Sequence, residues 1–244
     1  MIIAIISDIH ANLEALTVAI NFILERNASK ILCCGDIVGY GPDPSSCINL
    51  LRRYDFKSVY GNHDKAILTD SIGIYFNEDA IVALNIQKNL INAEQIGFIK
   101  KLPFTISEDE YILTHSFLSK QSPYKYVYDE KTATENMALT RKRILFIGHS
   151  HIPGFVVFEG EKVRFMNAFN NIRINIEKGK RYLVNVGSIG QSRDGNPQLS
   201  VCIYDTEDNF IEIVRLPYRV DLTVKKMIEL GFPKNLYKRL SLGL

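Results

Sequence analysis

Met1-Ile2-Ile3-Ala4-Ile5-Ile6-Ser7-Asp8-Ile9-His10-Ala11-Asn12 opens the chain, and the fold turns on how its apolar run is read. Ile2 to Ile6 is continuous rather than alternating, as expected of a strand covered on both faces. The run resembles a short signal core, but it lacks a basic leader and passes straight into Asp8, so a buried strand is the expected reading. Asn12 then caps a helix in which Leu13, Leu16, Ile20, Ile23 and Leu24 recur at helical spacing. The opening is therefore strand, loop, helix, with Asp8 and His10 in the loop.

The same alternation continues outward. Ile31 to Cys34 and Lys57 to Tyr60 read as strands around a helix at Ser45 to Tyr54. A helical stretch covers about Asp79 to Leu90, and Asn92 with Gln95 forms a capping box for a short helix ended by Pro103. Strands return at Tyr111 to Thr114 and Ile144 to Ile147, with a helix from Asp129 to Thr140 between them. After His151 the character changes. Phe155 to Phe158 and Lys162 to Phe165 flank Glu159-Gly160-Glu161, a hairpin signal. Short strands follow at Ile172 to Ile176, Tyr182 to Val186, Leu199 to Tyr204 and Phe210 to Leu216, and Asp221 caps a last helix to Leu230. An α/β front half followed by antiparallel strands predicts two β-sheets packed face to face with helices outside. With no repeat or linker, a single domain is expected over residues 1–244: an α/β part to about 151, an antiparallel part over about 152–217, and a helical tail over 218–244.

The 244 residues, 46% hydrophobic and 23% charged, suffice for a substantial core. No stretch approaches the roughly 18 apolar residues of a membrane span. The net charge of +2 is spread along the chain. Arg141-Lys142-Arg143 and Lys178-Gly179-Lys180-Arg181 are too short to be a footprint for long nucleic acid. Cys33, Cys34, Cys47 and Cys202 include no spaced zinc-ribbon pairs, and a reduced, cytoplasmic protein with packed thiols is expected.

Five segments carry the chemistry: Asp8-Ile9-His10, Gly35-Asp36, Gly61-Asn62-His63-Asp64, His115, and Gly148-His149-Ser150-His151. Each follows a predicted strand, and side chains at the carboxyl ends of strands converge on a common crevice. The chain has 5 histidines, and every one lies in these segments. Imidazole and carboxylate suit zinc, manganese, iron, cobalt or nickel. Asp8, His10, Asp36, Asn62, His115, His149 and His151 exceed what one tetrahedral ion takes. Two ions sharing one carboxylate use them all, and Asp36, standing between the two groups in chain order, is the expected bridge. A neutral Asn62 limits negative charge and leaves room for an anionic substrate.

The ordered set D-x-H, G-D, G-N-H-D, His115 and G-H-x-H resembles the calcineurin-like metallophosphoesterase superfamily. Gly35-Asp36-Ile37-Val38-Gly39-Tyr40-Gly41-Pro42 and Asn185-Val186-Gly187-Ser188-Ile189-Gly190-Gln191 are similar to its small prokaryotic branch, which is related to the diadenosine tetraphosphatases and serine/threonine phosphatases. The resemblance implies a four-layer αββα sandwich of two mixed sheets, and two divalent ions (Mn, Fe, Zn, Ni, Co or Mg). It places one ion on Asp8, His10, Asp36 and His151, and the other on Asp36, Asn62, His115 and His149. His63 would face the substrate, with Asp64 orienting its ring. Ala11, Thr114 and Ser116 stand where many relatives have glycine. Lys65 and Ala66 follow Asp64 in place of the arginine of the protein phosphatases.

A phosphoric ester hydrolase follows as the expectation, with a hydroxide held between the ions attacking phosphorus in line and His63 stabilising the transition state or protonating the leaving group. The expected partner is a small phosphorylated substrate, with a phosphodiester or nucleotide preferred, and no membrane. Rival readings are a metal-site scaffold that binds protein without turnover, a protein phosphatase and a nuclease. Arg193 is a further substrate-binding candidate, since its fork suits a phosphoryl oxygen; the alternative is a loop arginine paired with Asp194. Tyr124, Tyr126 and Tyr128 are expected to form one packed strand face, the other reading being a pocket wall for a base. The tail over 232–244 is free to pack on the core or on a second subunit of a homo-oligomer.

Overall fold

A computed structural model of the chain describes residues 1–69 and 76–244. In chain order its front half runs β1 (Ile2–Ile6), α1 (Leu13–Glu25), β2 (Lys30–Cys33), α2 (Pro44–Arg53), β3 (Lys57–Ser58), α3 (Asn62–Ala66), α4 (Glu78–Lys88), α5 (Ala93–Lys100), β4 (Thr105–Ser107), β5 (Tyr111–Thr114), α6 (Glu130–Ala138) and β6 (Ile144–Ile147). Then come β7 (Gly154–Glu159), β8 (Lys162–Asn167), β9 (Ile172–Asn175), β10 (Arg181–Asn185), β11 (Leu199–Asp205), β12 (Phe210–Leu216), α7 (Val220–Glu229) and α8 (Lys234–Lys238).

The strands form two mixed sheets of six, ordered β3-β2-β1-β11-β12-β9 and β4-β5-β6-β10-β7-β8. The opening strand β1 is central: it pairs in parallel with β2 and antiparallel with β11. Its residues Ile3 to Ile6 are fully buried, which is why the run has no polar alternation. Ala4 and Ile6 meet Leu16, Ile20 and Ile23 of α1 on the outer face. Ile3 and Ile5 point the other way, into a core shared with Leu113, Phe146 and Val184 of the second sheet. Each buried isoleucine contributes roughly 1.5–3 kcal/mol. Ala133 and Met137 of α6 cover Leu145, Ile147 and Leu183 on the far face of that sheet. Helix, sheet, sheet, helix is the expected four-layer arrangement.

Local signals account for the helix starts. Asn12 accepts from the Ala15 N–H, and Asn92 and Gln95 make a reciprocal capping box. The expected division between an α/β part and a later β part is not a division between sheets. β9, β11 and β12 complete the sheet begun by β1, while β7, β8 and β10 extend the one holding β5 and β6. Two expectations differ. Tyr124 to Tyr128 lie in irregular chain rather than a strand. Arg219, not Asp221, occupies the N-cap of α7, and Asp221 instead takes two hydrogen bonds from the Arg219 guanidinium at 2.7 and 2.8 Å. The tail forms α8, whose Leu236 and Leu240 pack with Met227, Phe232 and Ala83.

No helix among the described residues is long and apolar enough to cross a membrane. Members of both basic clusters make local contacts. Arg181 donates to the carbonyl oxygens closing α6, Arg143 donates to Glu177 O, and Lys180 pairs with Glu177 at 2.8 Å. All four cysteines are buried and unpaired.

Candidate metal centre

The loops that leave β1, β2, β3, β5 and β6 bring the chemistry-bearing side chains together, as the strand-end reading expects. They do so with strained backbone. Asp8, His10, Asp36, His149 and His151 all have φ between 47° and 67°, a left-handed region that non-glycine residues leave at a gain of order 1–3 kcal/mol each. Strain persists only where surroundings over-determine it, and here they do. The Asp8 N–H donates to Gly35 O at 2.9 Å, His10 N–H to Asp36 O at 3.0 Å, and Gly190 N–H to Asp8 O at 2.9 Å. Asp8 Oδ2 accepts from the His149 N–H at 2.9 Å.

The side chains fall into clusters whose ligand atoms lie within 4.8 Å of one another: Asp8, His10 and His151 in one, Asp36, His115 and His149 in another. Asp36 stands between them in space as well as in sequence, with Oδ2 3.8 Å from His10 Nε2 and 3.3 Å from His115 Nε2. Asn62 joins the second cluster, its Oδ1 3.0 Å from His115 Nε2. Both carboxylates and all the imidazoles are buried.

Whether such a cluster fits metal ions depends on where its protons are. A carbonyl oxygen can only accept, so a ring nitrogen facing one must carry hydrogen. His10 Nδ1 faces Val38 O at 3.0 Å, His151 Nδ1 faces Gln191 O, His115 Nδ1 faces Cys34 O at 2.8 Å, and His149 Nε2 faces Tyr124 O at 3.0 Å. In the neutral form that a metal ion requires, the opposite nitrogen of each ring turns its lone pair inward. His10 Nε2 and His151 Nε2 are 3.1 Å apart, and His115 Nε2 and His149 Nδ1 are 3.0 Å apart. Asp8 Oδ1, buried 3.2 Å from His151 Nε2, has no hydrogen-bond partner. Converging lone pairs beside an orphaned carboxylate oxygen repel one another unless a cation sits among them. The backbone carbonyls that fix the tautomers are the outer partners a metal-ligating histidine requires. The residues fit a dinuclear divalent-metal site.

The titration behaviour agrees. Burial, and then the neighbouring His151, hold His10 well below the ordinary imidazole value. Burial and Arg193 do the same to His151, and burial with His115 drops His149 to about 3. Only His115 goes the other way. Burial opposes its protonation, but Asp36 overrides this and raises it to about 9. Asp36 itself, despite burial, is drawn below the usual carboxylate range by His115 and His63.

His63 lies beside these clusters, within the same 4.8 Å of His10 and Asp36 atoms. Its ring packs against Tyr40 at 4.4 Å and Phe76 at 4.8 Å, and its Nδ1 has no partner. Asp64 does not orient that ring. Its carboxylate accepts four backbone N–H groups, from Asp36, Ile37, Val38 and Gly61 at 2.8–3.3 Å. It ties the Asp36 loop to the Gly61 loop, and its link to His63 is through that backbone only. Burial and the Asp36 carboxylate push Asp64 above the usual range, against the pull of those N–H donors.

A cleft of about 790 Å³ opens beside the clusters, with Asn62, His63 and His149 on its floor. Arg193 lines it, and the alternative pairing with Asp194 is not made. Asp194 is bound to Arg215, both side chains being 1% exposed, while Arg193 donates to Gln191 Oε1 at 3.0 Å. Tyr126 forms a wall, stacked on His149 at 4.2 Å and on Tyr128 at 4.9 Å. The cleft also takes in Tyr40 and Arg239, which the sequence motifs did not single out. Gly39-Tyr40-Gly41, in the same segment as Gly35-Asp36, was the available signal for Tyr40; Arg239 carries none.

Known proteins give the same picture. The profile of the calcineurin-like phosphoesterase superfamily domain matches residues 1–209. An uncharacterized protein of Methanocaldococcus jannaschii is 37% identical over 245 residues, covering 99% of this chain and 98% of its own. The crystal structure of a metallophosphoesterase from Sphaerobacter thermophilus superposes with a TM-score of 0.83 at 30% identity, covering 100% of this chain and 99% of that one. A hypothetical protein of Pyrococcus horikoshii OT3 shares the fold, with a TM-score of 0.79 at 16% identity and coverage of 100% and 98%. With its strand-end motifs gathered at one buried dinuclear site and a family profile matched over most of its length, this chain belongs to the calcineurin-like phosphoesterase superfamily.

Proposed function

We propose that this metal-dependent phosphoesterase hydrolyses small phosphate esters, with phosphodiesters and nucleotides preferred. The observation that carries the reading is the pair of lone-pair clusters joined by Asp36 at the floor of an open cleft. One ion is assigned to Asp8, His10, Asp36 and His151, the other to Asp36, Asn62, His115 and His149. Bound there, divalent ions lower the pKa of a water toward neutrality and offset charge on phosphoryl oxygens.

The protein's own groups do the rest. The carbonyls of Val38, Cys34, Tyr124 and Gln191 hold each imidazole in one tautomer. Asp64 fixes the Asp36 loop through backbone N–H groups. His63, beside Asp36 and lining the cleft, is the group assigned to meet the phosphoryl or leaving oxygen. Burial keeps its ring neutral, which favours donating a hydrogen bond to developing charge over transferring a proton. Tyr40 and Phe76 pack against its ring. The preference for small esters rests on the size of the cleft and on the lack of the protein-phosphatase arginine after Asp64.

Metal-stripped protein, assayed on matched aryl phosphate mono- and diesters with manganese, nickel, zinc or magnesium restored, tests this. Turnover that requires metal and disappears in Asp36→Asn is expected. Two bound ions with no turnover on any ester would instead favour a binding scaffold.

A further inference from the structure

The C-terminal tail builds one wall of the cleft. Arg239, at the C-cap of α8, reaches into it, and Arg193 enters from the loop after β10. Among the described residues neither guanidinium has a carboxylate within ion-pairing distance. Asp194 is committed to Arg215, and Asp79, whose charge is felt at Arg239, accepts from Asn235 Nδ2 at 3.0 Å. Partial burial and the charge of Arg193 hold Arg239 below its ordinary value. Two like charges facing one cleft with no carboxylate in contact are unfavourable, yet the backbone that carries each is firmly held. The Arg193 loop is tied to the tail by the Gly195 N–H, which donates to Gly243 O at 2.9 Å. Buried Arg215 braces the same loop through Ser192 Oγ at 3.0 Å and the carbonyls of Asn196 and Gln198. Buried Leu236 and Leu240 anchor α8 on either side of the position from which Arg239 projects. Tyr126 lines the same cleft, sandwiched between the His149 and Tyr128 rings.

We propose that Arg193 and Arg239 together bind a second phosphate of the substrate, outside the metal clusters, and so select esters whose non-reacting part is itself phosphorylated. The inference rests on the phosphoesterase reading for the place of the first phosphate. Guanidinium forks suit phosphate through paired, charge-assisted hydrogen bonds. The second phosphate could lie in a diphosphate chain or elsewhere on a sugar, and the two arms of the test separate these.

The test is calorimetric titration of the metal-loaded protein with adenosine 5′-monophosphate, adenosine 5′-diphosphate and adenosine 3′,5′-bisphosphate. Wild type, Arg239→Gln and Arg193→Gln are compared, with aryl phosphate turnover measured on the same samples. Wild type is expected to bind at least one doubly phosphorylated ligand about ten-fold or more tightly than the monophosphate. Each variant is expected to lose most of that ratio, and either suffices should the other fail to fold. No preference in wild type, or a preference retained in the variants, overturns the proposal. Failure of the phosphoesterase reading would appear separately, as absent aryl ester turnover in a wild type that still shows the ratio.

Discussion

Gly61 sits where the loop after β3 crosses the Asp36 side chain, and replacing it with alanine isolates the role of that crossing. A Cβ at residue 61 would lie 2.0 Å from Asp36 Oδ1 and 2.6 Å from its Cγ, while ordinary contact begins at 3.4 Å. The pair must therefore separate by about 1.4 Å. Asp36 cannot yield without losing its hydrogen bond from the His63 N–H at 2.9 Å, and Asp64 clamps the backbone on both sides of the crossing. Overpacking of this kind costs about 1–3 kcal/mol of stability. A displacement of about 1 Å at a catalytic constellation can lower turnover about 100-fold. Gly97→Ala is the control: in α5 its Cβ meets nothing within 4 Å, and it should be neutral or stabilising by up to about 1 kcal/mol. Metal content by plasma mass spectrometry, urea unfolding and kcat/KM on an aryl phosphate would be measured for both. If Gly61→Ala kept two tightly bound ions and turnover within a few-fold of wild type, the placement of Asp36 would not depend on this close approach.

His63→Ala should keep both metals while kcat falls about 10²–10⁴-fold; loss of an ion in that variant would put His63 among the ligands. Arg215→Met strands the buried Asp194 carboxylate and should cost about 3–5 kcal/mol in urea unfolding. An unchanged midpoint would show the pair to be dispensable. The metal-free protein should be most stable near pH 6.5. His10, His63, His149 and His151 are held below their unfolded value of 6.5, so their contribution is complete above it and lost as the pH falls, by up to about 1.4 kcal/mol per pH unit for each. His115, raised to about 9, contributes below 6.5 and loses its effect between 6.5 and 9. Urea midpoints at pH 5 to 9 in the presence of chelator would check this, and a midpoint unchanged from pH 7 to 5 would contradict it. Restoring metal should raise the thermal midpoint at neutral pH by mass action, and a midpoint indifferent to chelation would argue against the site.

What the sequence reveals about this molecule is local or compositional. Ile2 to Ile6 betrays a doubly covered strand because burial on both faces removes polar residues. Asn12 and the Asn92–Gln95 pair betray helix starts because capping is a contact within three residues. The metal-site residues are legible because scarce histidines gather after strands, and their shared location follows from sheet geometry. Other features depend on distant partners. The role of Asp64 is set by N–H donors as far back as residues 36–38. The left-handed backbone at Asp8, His10, Asp36, His149 and His151 has no side-chain signature, since none is glycine. Five-residue α8 is too short to show a period, so Arg239 gave no hint of facing the cleft. The tyrosines at 124, 126 and 128 alternate like a strand, but their chain pairs with no neighbour in either sheet.

The central position of β1 has a consequence for how the site comes into being. One neighbour, β2, is made soon after it, but the other, β11, lies almost two hundred residues further along. The Ser188 hydroxyl and the Gly190 N–H close on Asp8 O, and Gln191 O sets the tautomer of His151. A fragment ending at His151 would hold every assigned ligand and still lack the groups that aim Asp8 and His151. Contacts of such long sequence separation form late and slowly. In a folding experiment, metal affinity should therefore emerge with the final cooperative step rather than with early collapse.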